Sequence, residues 1–157
     1  MKQIATVAAA VIVAFGAGFG AARLTPPAGA ASVQMVPQII DLGAITPNDL
    51  PPPAADVAGK PATVRTKGLV SQDGATVGIQ IGTVPKHYHA DANEIQYVID
   101  GTGTEWLGDK QVALKPGIML IIPKGTPHGG STETSGHLKI IAIKTPPQAP
   151  DDTHMLP

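Results

Sequence analysis

The chain has 157 residues, with 11 basic side chains against 12 acidic ones, five histidines and no cysteine. The length fits one domain, and the balanced charge leaves no footprint for nucleic acid or an anionic membrane. Without cysteine, disulfides, thiolate metal sites and a thiol nucleophile are excluded, so any bound metal must be held by nitrogen and oxygen.

Residues 1–30 open with Lys2, and Ile4 to Gly20 form an uncharged, Ala-rich apolar run. Ala28-Gly29-Ala30, after the helix-breaking Pro26-Pro27, has the pattern of a cleavable export signal, and Gly20-Ala21-Ala22 is a second candidate cleavage site. A periplasmic or secreted protein is expected. The run also reaches the lower edge of a bilayer span, so an uncleaved membrane anchor at residues 4–20 is the alternative. Membrane contact is expected only in that case.

Residues 31–61 form a Pro-rich arm or linker. Eight of the sixteen prolines fall between residues 25 and 61, which excludes a helix or a central strand there. Within it, residues 33–45 are apolar enough to add an edge strand or arm, and a loose linker fits the composition equally well.

From residue 62 to 145 the texture changes to short apolar runs split by Gly, Asp and Pro. Residues 63–70 and 75–83 read as strands, the second with Ala75, Val77, Ile79 and Ile81 on one face. Residues 94–100 form another, ending at the turn dipeptide Asp100-Gly101. Gly108-Asp109 joins a hairpin, and residues 118–123 and 138–144 are apolar runs of strand length. No stretch sustains helical periodicity. The expectation is an all-β sandwich or barrel. Residues 146–157 are a Pro-rich tail expected to lie over the surface or to fray. A β core this small gains from a metal, an arm or a homodimer interface.

The stretch "PKHYHADANE" (residues 85–94) carries the chemistry. Side chains alternate along a strand, so His87 and His89 point the same way and Tyr88 the other. Residues 90–93 read as a turn, and Glu94 joins the histidines if its strand pairs back on theirs. A second segment, "PGIMLIIPKGTPHGG", presents His128 after a Pro-Gly turn. Three imidazoles and one carboxylate suit one divalent first-row metal (Fe, Mn, Ni, Co or Zn) without selecting among them. Alternation from Glu94 turns Gln96 and Val98 inward and Ile95 and Tyr97 outward. His137, in a loop, and His154, in the tail, are not assigned to the metal.

These two segments resemble the paired motifs of the cupin superfamily. The first runs Gly82, four residues, His87-Tyr88-His89, four residues, Glu94, six residues, Gly101. The second runs Gly117, five residues, Pro123-Lys124-Gly125, two residues, His128, three residues, Thr132. The spacer before His87 is one residue short, and Thr132 stands where the family has Asn. Neither position is a ligand in the family. The resemblance implies a single small jelly-roll-like β-barrel with His87, His89, Glu94 and His128 on one metal. Four protein ligands leave open positions on an octahedral ion, which favours an enzyme (dioxygenase, isomerase or lyase class) acting on a small oxygenated molecule. A non-catalytic module binding a small ligand or metal in the periplasm is the alternative. Gln96 is the polar residue expected beside the metal, and strict alternation leaves no proton-transfer group inside the barrel.

Overall fold

The computed structural model describes residues 36–53, 63–72 and 74–157. The export signal or anchor expected at residues 1–30 lies outside them. No helix among the described residues is long and apolar enough to cross a membrane.

The runs rich in Ile, Val and Thr become strands: β1 (Arg65–Gln72), β2 (Ala75–Ile81), β3 (His87–Tyr88), β4 (Asn93–Leu107), β5 (Lys110–Leu114), β6 (Met119–Ile122), β7 (His128–Thr145) and β8 (His154–Met155). All pairings are antiparallel, within one sheet that curls into a barrel. The long strands β4 and β7 pair along most of their length and form its spine. β2 and β1 extend it beyond β7, while β6 and the β5 hairpin extend it beyond β4. Gly108-Asp109 closes the β4–β5 hairpin as expected, with Leu107 opposite Lys110.

Alternation sorts the apolar residues onto two faces. Val98, Leu114, Leu120, Ile122, Leu138 and Ile140 form the interior cluster. Ile79 lies opposite Ile141 on the outer face, where Leu69, Ile79 and Ile81 would meet water. The Pro-rich arm covers them. Leu50 joins that cluster, and Leu42 and Ile45 pack against it. Lys139 fastens the arm, its ammonium donating to the carbonyls of Leu42 and Gly43 at 3.2 Å each. The arm makes no strand among the described residues. Among its described residues the regular piece is a 3₁₀ turn at Pro47–Asp49.

Three expectations need correction. Asp100-Gly101 is not a turn, because β4 runs through it with register shifts on either side. A Cβ at Gly101 would lie 2.2 Å from the His137 carbonyl oxygen, and its φ is 79°. The dipeptide is therefore a bulge that only glycine fits. Second, β4 pairs with β5, β6 and β7 and not with the strand of His87. Third, the tail is neither frayed nor merely superficial: β8 pairs with β3, placing Met155 opposite His87 and His154 opposite Tyr88.

Candidate metal centre

His87 lies on β3 and pairs with His128, the first residue of β7. His89 follows β3 directly, and Glu94 stands near the start of β4. The two motif segments are tied together. The Gly125 amide donates to the His89 carbonyl at 2.6 Å, and the Lys124 amide donates to Asn93 Oδ1 at 3.1 Å. Gly129 permits the close approach of β3 and β7, since a Cβ there would sit 2.6 Å from the Pro85 carbonyl oxygen.

All four expected ligands are brought together. His87, His89, Glu94 and His128 are buried, and one ligand atom from each lies within 4.8 Å of the others. His89 Nε2 is 3.0 Å from Glu94 Oε2, and His128 Nε2 is 3.3 Å from the same oxygen without hydrogen-bond geometry. The opposite ring nitrogens explain the orientation. The Nδ1–H of His87 donates to the Pro85 carbonyl at 2.8 Å, and that of His128 donates to the Thr126 carbonyl at 2.9 Å. The Nδ1–H of His89 donates to the Asp152 carbonyl. Each ring thus carries a proton on Nδ1 and turns Nε2 inward.

Electrostatics favour the metal-ready protonation states. Burial and the neighbouring His128 push the His87 imidazole down to about 4, keeping it neutral. Burial alone would raise Glu94. The contacts with His128 and His89, with the Lys144 ammonium 3.8 Å away, outweigh burial and hold the carboxyl well below its ordinary range. Freed of any proton on Nε2, the three rings would aim their lone pairs at the same point as the Glu94 carboxylate. A divalent cation suits that point, so the residues fit one first-row metal ion.

Gln96 faces the interior as expected, at 3% exposure. Its Nε2 donates to Glu94 Oε1 at 3.0 Å, and its Oε1 has no partner. Tyr97 points outward at 42% exposure. His137 is exposed, its Nδ1 3.3 Å from Glu133 Oε2, within the continuous β7 instead of a separate loop. His154 stacks on Tyr88 with ring centroids 4.8 Å apart, away from the ligand group.

Two residues escaped the sequence reading. Glu105 is inside the barrel, 1% exposed, with an unpartnered Oε1. Burial, reinforced by the negative charge of Glu94, pushes its carboxyl up to about 7. The bulge is why it was missed: Glu94, Gln96 and Val98 face inward on even numbers, whereas Gly101, Gly103 and Glu105 do so on odd ones. One inserted residue exchanges the faces of everything beyond it. The signal available was glycine at 101 and 103 inside a strand pattern. The second is Asp152, which contributes a main-chain carbonyl and so leaves no chemical signature in sequence.

The matching family model spans residues 76–144 and is described as a cupin domain. Residues 76–144 are a cupin domain. An uncharacterised protein of Methanocaldococcus jannaschii, MJ1618, is 33% identical over 70 residues, covering 45% of this chain. The match spans 56% of the length of that curated relative. Among solved structures, Streptomyces Pac13, described as a nucleoside dehydratase, superposes with a TM-score of 0.52 at 15% identity, covering 59% of this chain and 78% of Pac13. TT1209 from Thermus thermophilus gives 0.50 at 17% identity, over 54% of this chain and 84% of that one. At such identities the likeness shows the cupin fold alone.

Proposed function

We propose that this cupin is an exported metal-dependent enzyme acting on a small oxygenated organic molecule at a mononuclear centre of three histidines and one glutamate. One observation carries the reading: four converging ligand atoms share the barrel interior with two buried polar side chains whose Oε1 atoms are unpartnered, Gln96 and Glu105. A bound divalent ion would polarise a substrate oxygen and make a neighbouring proton easier to lose. Gln96 orients a substrate hydroxyl or a water through its unpartnered carbonyl oxygen. Glu105, poised near neutrality, gives a proton to the substrate or takes one from it.

Proton-transfer chemistry of the isomerase or lyase class uses Glu105 directly, whereas dioxygenase chemistry leaves it without a role. The test begins with metal analysis of protein recovered from its native compartment. Small enolisable hydroxy- and keto-acids are then followed by NMR in D2O, with oxygen uptake recorded in parallel. Metal-dependent exchange of a carbon-bound proton, without oxygen uptake and lost in Glu105→Gln, is the expected result. Ligand binding without turnover would make the protein a binding module. Oxygen uptake unaffected by Glu105→Gln would move it to the dioxygenases.

A further inference from the structure

The three ligand histidines are not oriented in the same way. His87 and His128 each bond the carbonyl of the residue two positions before them. His89 instead bonds the carbonyl of Asp152, which lies 63 positions away and beyond the residues that match the family model. The barrel strands orient two ligands by themselves. The third depends on the C-terminal segment.

That segment is fixed in place by Asp152, which is 3% exposed. Its carboxylate accepts from the amides of Ala90 at 2.6 Å, Asp91 at 3.1 Å and Ala92 at 3.1 Å, the loop that joins His89 to Glu94. Gln148 braces the same point. It accepts from the Lys144 ammonium beside Glu94, and its amide donates to the Asp152 carbonyl at 3.4 Å and to Thr153 Oγ1 at 2.6 Å. Further on, β8 pairs with β3, and the Leu156 amide donates to the Lys86 carbonyl at 2.9 Å.

We propose that residues 148–156 are a strap that positions His89, with Asp152 as its positioning residue, and so set the affinity of the centre for its metal. The strap holds the His89 proton on Nδ1 and the 90–92 loop at one length, so Nε2 and the Glu94 carboxylate meet at the spacing the ion needs. Partners of this kind commonly change metal affinity by about 10–100-fold when removed. The proposal rests on the metal reading above, and its test separates the two.

Co(II) affinity is measured by chelator competition for the unaltered protein, Asp152→Ala, Asp152→Asn and a chain ending at Pro147. In the metal-free proteins, 15N NMR reports which ring nitrogen of His89 carries the proton. The expected result is a roughly tenfold or greater loss of Co(II) affinity in Asp152→Ala, a smaller loss in Asp152→Asn, and mixed tautomers at His89 while His87 and His128 keep theirs. Affinity of the Asp152 variants within about twofold of the unaltered protein, with the His89 tautomer unchanged, overturns the strap. If the shortened chain or Asp152→Ala fails to fold, Asp152→Asn decides, because it keeps the side-chain shape. If the unaltered protein binds no divalent ion, the metal reading fails, and the His89 tautomer alone still upholds or rejects the strap.

Discussion

On the proposed reading Glu105 and Gln96 set the site's chemistry at the scale of single residues, and the burial of Glu105 can be tested without knowing the substrate. An unfolded glutamate loses its proton near 4.5, whereas folded Glu105 keeps it to about 7. Between those values the folded state binds more protons than the unfolded one, so stability falls as pH rises through that window. The penalty, complete above pH 7, is on the order of 3 kcal/mol. Glu105→Gln should remove it. Denaturation of the metal-free proteins at pH 4 and pH 8 should show the variant gaining on the parent by that order at the higher pH. Parallel pH dependence would place Glu105 in contact with water. Among the ligands, His87→Ala, His89→Ala or His128→Ala should each remove most bound metal on elemental analysis. Gln96→Ala should keep the metal and lower turnover, while Tyr97→Phe on the outer face should change neither.

Individual strands show where the sequence was legible and where it was not. His87 with His89, and Glu94 with Gln96, could be matched because a period of two puts same-parity residues on one face, and no bulge interrupts β4 between Glu94 and Val98. His128 was legible from its Pro-Gly turn and from the resemblance to paired cupin motifs, which also joined Glu94 to the histidines. Asp100-Gly101 misled because a dipeptide that closes hairpins also suits a bulge, and only the close approach of β7 decides between them. The tail misled for another reason. Proline-rich composition argues against regular structure, yet β8 needs only two residues, and its link to His89 is a backbone atom. The bulge should be sensitive to substitution. Gly101→Ala forces a left-handed φ on a residue with a Cβ, costing about 1–3 kcal/mol from the backbone alone, and presses that Cβ against the His137 carbonyl. Melting curves should show a large loss of stability, and Glu105 chemistry should fall with it as the inward register relaxes. An unchanged melting temperature would mean that the bulge can be redrawn without glycine.

For the molecule as a whole, stability comes from both faces of the sheet together with the centre. Leu50 is 4% exposed beneath the arm, so Leu50→Ala should cost about 2–5 kcal/mol in denaturant unfolding. A loss below about 0.5 kcal/mol, the range of ordinary surface substitutions, would mean that the arm is dispensable. Saturating Zn(II) should raise the melting temperature relative to protein stripped with chelator, because the ion binds the folded state alone. His128→Ala should abolish that rise, and an equal rise in the variant would locate the metal elsewhere. The strap adds an ordering in time. If the strap acts as proposed, His89 is aligned only once residues 148–156 have docked, whereas His87 and His128 take their orientation from the barrel itself. On that proposal, tight capture of an ion waits for the C-terminal segment to dock. The ion taken up would then be drawn from whatever supply surrounds the chain as that docking completes.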